Sequence, residues 1–303
     1  MKTPDTSFDM TGKTVVITGA SSGIGRAAAR RMAAQGATVV PVGRSPERTA
    51  AIAEEIGTTP VVADFGDFAQ VRLAAEVILE RCPRIDVLAN NAGALFSTRR
   101  TTPDGHELTF QANHLAPFLL THLLLPRLRE TARSSPVRVV TTASFGNVFG
   151  KVRLDDLEWE KRRYGGGWIA YSTTKLMNIL FTRELARRTA GTGISAYAFH
   201  PVSGTSAPRP PGQVTETRFA DDDRLVRLLP DSVVRRIKLT GDDGAEPLIW
   251  LAGAPDVGAP SGGYFHGFRH PGRVHRQADD RDLATRFWEL SAELVAAHTG
   301  ARP

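Results

Sequence analysis

Tyr171 and Lys175 stand four positions apart in WIAYSTTKLMNIL, residues 168–180, a stretch that otherwise reads as an apolar helix. At that spacing two helical side chains point at one small volume. Burying a phenol and an ammonium together is expensive, so their pairing on one face calls for an explanation. The alternative is that both tips reach out to water, as most tyrosines and lysines do. A second chemical spacing lies in TGASSGIGRAAAR, 18–30, where Gly19, Gly23 and Gly25 follow an apolar run and open a helical one. Glycines permit a tight turn and close approach of a ligand to the backbone. Amides at a helix start, here from Ser21, Ser22, Gly23, Ile24 and Gly25, attract phosphate. Between a first strand and a first helix, the pattern reads as a dinucleotide-binding turn.

If the dinucleotide were NAD, an acid at the end of the second strand would bond the adenosine ribose. That strand ends VVPVGRS and offers Val42, Gly43 and Arg44 instead, while Arg26 follows the glycine turn. Two forked guanidiniums suit a 2′-phosphate, which favours NADP(H). Asp64, which ends the third strand just before Phe65, either accepts from the adenine amino group or caps the next helix.

The elements that must position these residues alternate along the first two hundred positions. Apolar runs at 14–19, 37–43, 59–64, 85–93, 137–144 and 194–201 read as strands, with helical patterns between them. Pro41 sits awkwardly in the second run, because it cannot donate to a ladder. Short unbroken apolar strands separated by helices predict an α/β, doubly wound, mostly parallel sheet covered on both faces, a Rossmann fold. After residue 201 the chain turns rich in Pro, Gly, Ser and Asp. We read 202–240 as a mobile substrate-binding cap with a helix at 224–238, then a helix around GAEPLIWLAGAP, a short strand at 261–267 and a terminal amphipathic helix. The expectation is one domain over 1–303.

Composition narrows the function. The net charge is +6, but the arginines are scattered among Asp and Glu, and no dense basic run with interleaved aromatics suggests nucleic acid. The single cysteine, Cys82, rules out an internal disulfide and suits a reducing cytoplasm. No apolar run is long enough for a membrane span, and the first residues lack a secretory apolar core. The chain reads as a cytoplasmic protein with a small-molecule partner.

TGASSGIG, NNAG at 90–93, Asn113, Ser144 and YSTTK at 171–175 together closely resemble the short-chain dehydrogenase/reductase superfamily. NHLAPFLLTHLLLPRL and AYSTTKLMNILFTRELARR are similar to its branch of retinol dehydrogenases and related bulky-carbonyl reductases, as is the long spacer of 27 positions from Ser144 to Tyr171. The resemblance implies that Tyr171 is the proton donor in carbonyl reduction, or the base in oxidation. Lys175 would lower the phenol and bond the nicotinamide ribose, Ser144 would orient the reacting oxygen, and Asn113 would hold a water linking Lys175 to solvent. Asn91, Ala92 and Gly93 would lie under the cofactor, and Pro201 and Val202 beside the nicotinamide. Val202 replaces the glycine usual there, and Ser206 is a possible stand-in for the usual threonine. Taken singly, Ser144 could merely end a strand and Asn113 bond helix backbone.

The expected activity is NADP(H)-dependent ketoreductase or alcohol dehydrogenase chemistry on a bulky apolar carbonyl or secondary alcohol. Phe145, Phe149 and Trp168 are candidate lining residues, with core packing the ordinary role for any one of them. The Gly165–Gly167 run is either a flexible entrance loop or an insertion without function. Two alternatives stay open: non-redox chemistry (elimination, cyclisation or epimerisation) on the same pair, and nucleotide sensing without catalysis. The resemblance makes a homodimer or homotetramer one expectation, although the long-spacer branch also includes monomers.

Overall fold

Five-residue β1, Thr14–Thr18, is buried throughout because apolar residues line both its faces. Val15 and Ile17 face one layer and Val16 the other, as the two-residue strand period requires. The protein is described here from a computed structural model covering residues 4–201 and 241–298. The cap expectation over 202–240, with Val202, Ser206 and the 224–238 helix, lies outside the described residues.

Six more strands flank or extend β1: β2 (Thr38–Gly43), β3 (Val61–Val62), β4 (Val87–Asn90), β5 (Val137–Thr142), β6 (Ile194–His200) and β7 (Tyr264–His266). They form one sheet in the order β3-β2-β1-β4-β5-β6-β7. Every pairing among the described residues is parallel, so the doubly wound expectation holds. One face is covered by α3 (Phe68–Arg81), α5 (Ala116–Ala132), α6 (Trp168–Arg188) and α8 (Arg281–Val295). The other is covered by α1 (Gly23–Ala34) and α7 (Gly241–Gly253), while α2 (Pro46–Glu55) follows β2.

Pro41 is tolerated for a geometric reason. Thr38 N donates to Lys13 O and Val42 O accepts from Ala20 N, so even-numbered residues of β2 face β1. Pro41 therefore turns its missing donor toward β3, whose pairing starts only at Val42.

The helix expected around Asn113 is interrupted. A short turn, α4 (Leu108–Phe110), leads into a π turn over Gln111–Leu115 before α5 begins. Glu107 starts this segment, its carboxylate accepting from Thr109 N and Phe110 N at 2.8 Å each. A π turn inserts one extra residue per turn and re-aims the side chains around it. The chain leaves the sheet at Pro201 and resumes at α7, where Gly244 packs so closely that a β-carbon would stand 2.8 Å from Ile24 and 3.5 Å from Pro201.

Candidate active site

In a parallel sheet the C-terminal strand ends share one edge, and this edge collects the residues singled out in the sequence. The glycine turn follows β1, Arg44 follows β2, Asn91–Gly93 follow β4, Ser144 follows β5 and Pro201 follows β6.

The glycine turn is shaped by contact as well as by conformation. Gly19 has φ +70 and lies against Asn91 and Ala92, and a β-carbon on Gly25 would strike the Gly19 carbonyl. Ser22 stands at the N-cap of α1 but makes no side-chain capping bond, which leaves the first-turn amides to a ligand. Asn91 ties the edge together: its Nδ2 donates to Thr18 O at 3.0 Å and its Oδ1 accepts from Thr142 Oγ1 at 3.1 Å. Thr18 Oγ1 accepts from the amides of Asn91 and Ala92, both at 3.0 Å.

The adenosine end departs from expectation in two ways. Arg26 is held by Glu55 at 3.0 Å, so it is not poised beside Arg44 for a 2′-phosphate; α1 and α2 run close enough for Glu55 to engage both Arg26 and Arg30. Arg44 is exposed. Asp64 is not the cap of α3. That cap is Asp67, which accepts from Ala69 N, while Asp64 Oδ1 closes a local turn on Gly66 N at 2.9 Å. Phe65 is buried in the core next to it.

Helix α6 begins at Gly167, a left-handed N-cap at φ +77, and Tyr171 N donates to its carbonyl at 2.8 Å. A β-carbon on Gly167 would run into Phe96 O, so only glycine fits. Gly165 and Gly166 also have positive φ, and the neighbouring Tyr164 hydroxyl bonds Thr109 Oγ1 at 2.6 Å and Glu107 at 3.0 Å. The glycine run is thus a tight turn anchored to the start of α4, and it sets where α6 begins.

Tyr171 and Lys175 are 1% and 2% exposed, which removes the reading in which both tips reach water. Burial raises the Tyr171 phenol pKa, the Ser144 side chain beside it opposes that, and nearby Tyr264 adds to the rise. Lys175 lies one helical turn further along α6. Its ammonium lies 5.3 Å from the ring centroid and donates to Thr142 O at 3.1 Å. Burial pushes the lysine itself down to about 8.

Asn113 sits in the π turn with its amide fully engaged. Its Oδ1 accepts from Ala94 N at 2.8 Å, and its Nδ2 donates to Ala94 O at 2.8 Å and Thr174 Oγ1 at 3.1 Å. It clips the 91–94 loop against α6. Ser144 Oγ also caps a one-turn helix over Phe145–Phe149, accepting from Gly146 N at 3.1 Å. Phe149 and Trp168 are 55% and 45% exposed, so neither is a core residue. Trp168 stacks on Tyr171 at 5.8 Å, and Phe149 meets Phe145 edge-on at 6.0 Å. Thr18 and Thr142 are functional positions the sequence reading passed over; their signal was a hydroxyl residue closing an otherwise apolar strand.

The model for the short chain dehydrogenase family matches residues 13–154. A protein of Streptomyces sp. (strain C5), provisionally named a daunorubicin C-13 ketoreductase, DnrU, is 40% identical over 94% of this chain and 93% of its own length. Human retinol dehydrogenase 13 is 36% identical over 94% of this chain and 85% of its own. The chain belongs to the short-chain dehydrogenase/reductase superfamily, in its retinol dehydrogenase-like branch. An uncharacterized Mycobacterium paratuberculosis crystal structure superposes with a TM-score of 0.74 at 33% identity, covering 98% of this chain and 97% of that one. A 3-ketoacyl-(acyl-carrier-protein) reductase from Brucella melitensis, solved with NADH, gives 0.62 at 26% identity over 85% of this chain and 96% of its own. This short-chain dehydrogenase/reductase is therefore an oxidoreductase of a family that uses a nicotinamide cofactor. Among the described residues, no helix is long and apolar enough to cross a membrane.

Proposed function

We propose that the protein is an NADP(H)-dependent reductase, or dehydrogenase in reverse, acting on the carbonyl or secondary alcohol of a bulky apolar molecule. The observation that carries this reading is the burial of Tyr171 beside the Ser144 side chain, with Lys175 buried one helical turn away on the ligand edge of the sheet. The bound cofactor supplies or accepts the hydride; proton handling and positioning belong to the protein. The glycine turn from Gly19 through Gly25 and its uncapped amides fit a diphosphate. Arg44 fits a 2′-phosphate, with Arg26 available only by leaving Glu55. Asn91, Ala92 and Gly93 would floor the pocket, and Lys175 and Tyr171 would bond the nicotinamide ribose beside Pro201.

Within that frame Ser144 holds the substrate oxygen while the phenol of Tyr171 delivers its proton. A raised phenol pKa keeps Tyr171 in the acid form that reduction requires. Exposed Phe149 and Trp168 offer the apolar wall for a large substrate, consistent with one relative named for a ketone and another for an alcohol. A buried, unpaired Cys82 accords with work in the cytoplasm. The test is NADPH and NADH oxidation against a panel of bulky ketones. Wild-type turnover should be faster with NADPH, and Tyr171→Phe should lose about 10²–10⁴-fold in kcat while still binding NADPH. Undiminished turnover by Tyr171→Phe would sink the assignment.

A further inference from the structure

Under the function proposed above, Ser144 works through one hydroxyl, and that hydroxyl is aimed by backbone just beyond the sheet. The last ladder bond is from Ala143 N to Phe199 O at 2.8 Å. Past it, Ser144 is extended, and its carbonyl collects three donors. Asn147 N reaches it at 3.0 Å, Asn147 Nδ2 at 2.8 Å and the Tyr264 hydroxyl at 3.2 Å. A carbonyl has two lone pairs, so this oxygen is saturated.

We infer that Tyr264 and Asn147 are positioning residues that fix the backbone of Ser144 and hence the aim of its hydroxyl at Tyr171. Tyr264 comes from β7, 120 positions further along the chain, so the restraint is tertiary. Asn147 Nδ2 also donates to the Tyr264 oxygen at 3.2 Å, and its Oδ1 accepts from His275 N at 3.1 Å. Both side chains are buried, at 0% and 2% exposure, so neither can exchange its partner for water. Burial raises the Tyr264 pKa, which keeps its hydroxyl a donor across the working pH range. The restraint originates at the C-terminal end of the fold, past the 13–154 stretch that the family model matches.

Tyr264→Phe keeps the ring and removes only the hydroxyl, so a packing role predicts almost no effect. The positioning role predicts faster amide hydrogen exchange across 143–150, where Gly146 N and Asn147 N both depend on Ser144. Tyr197→Phe, which removes a buried hydroxyl from the opposite face of the sheet, should leave that segment unchanged. This measurement needs no substrate, and unchanged exchange in Tyr264→Phe overturns the inference whether or not any ketone is reduced. With a bulky aryl ketone and NADPH, Tyr264→Phe should lower kcat about tenfold, with KM for NADPH unchanged and thermal unfolding nearly so. In a Ser144→Ala background the same substitution should cost less than about twofold. Equal losses in both backgrounds, or faster exchange with no loss of kcat, would mean that Tyr264 does not act through the Ser144 hydroxyl and overturn the inference. Failure of the wild type on every ketone would instead count against the proposed function, with the exchange result still judging this one.

Discussion

Lys175 carries a charge into a nearly closed site, where its ammonium donates to the carbonyl of Thr142 at 3.1 Å. Burial pushes it down to about 8, below the ordinary 10.5, so ionised lysine costs the fold stability at neutral pH. Between those two values the unfolded chain binds more protons than the folded one, so stability should rise as the pH climbs from about 8 to 10.5. Lys175→Met should therefore raise the unfolding temperature at pH 7, by an amount worth about 1–3 kcal/mol, and remove most activity. A denaturation curve at or below that of the wild type would contradict this. At the adenosine end, Arg44 is the guanidinium not committed to Glu55. Arg44→Ala should weaken NADPH binding about 10-fold or more and leave NADH binding within about twofold, as fluorescence titration would measure.

At the scale of elements, the start of α6 is the position that admits least change. Gly167→Ala would combine a left-handed φ with a clash against Phe96 O, and should destabilise by about 1–3 kcal/mol or more. Its kcat should fall further than its cofactor affinity, since Tyr171 N hangs from the Gly167 carbonyl. Much at this scale was legible in the sequence. The strand runs, the glycine turn and the Tyr171–Lys175 pair follow from local periodicity and spacing, and the structure places each on the expected element. What was not legible depended on partners distant in the chain. Nothing near Arg26 announces Glu55, and a helical pattern around Asn113 does not reveal the π turn. The cap considered at Asp64 falls at Asp67 instead, because Asp64 Oδ1 is taken by the 64–66 turn. The glycine run before Trp168 suggested looseness because its anchors, Tyr164 to Glu107 and Thr109, lie some fifty positions apart in sequence.

For the whole molecule, buried His114 and half-buried His200 govern behaviour in acid. His114, enclosed by Phe110, Phe118, Phe181 and Phe287, is pushed down to about 3 by burial, and His200 to about 4 by burial and its neighbour His266. His114 shares a 3.0 Å bond with Ser291 Oγ, whose own hydrogen goes to Phe287 O, so the imidazole Nε2 is the donor. Both rings are neutral in the fold, whereas the unfolded chain protonates them below about 6.5. Stability should thus fall as the pH drops through 6 toward 4, by about 1.4 kcal/mol per pH unit for each ring. His114→Leu should flatten that slope by about half in urea denaturation at stepped pH.

The close packing of Gly244 on both Ile24 and Pro201 has an evolutionary corollary. Departure and return of the chain are side by side on the rim of the nucleotide turn, so the two ends need no particular distance spanned between them. Closing a longer stretch across such a gap costs only about 0.6 kcal/mol for each doubling of its length. The length of chain carried between these two points can therefore change at little cost to the strands on either side.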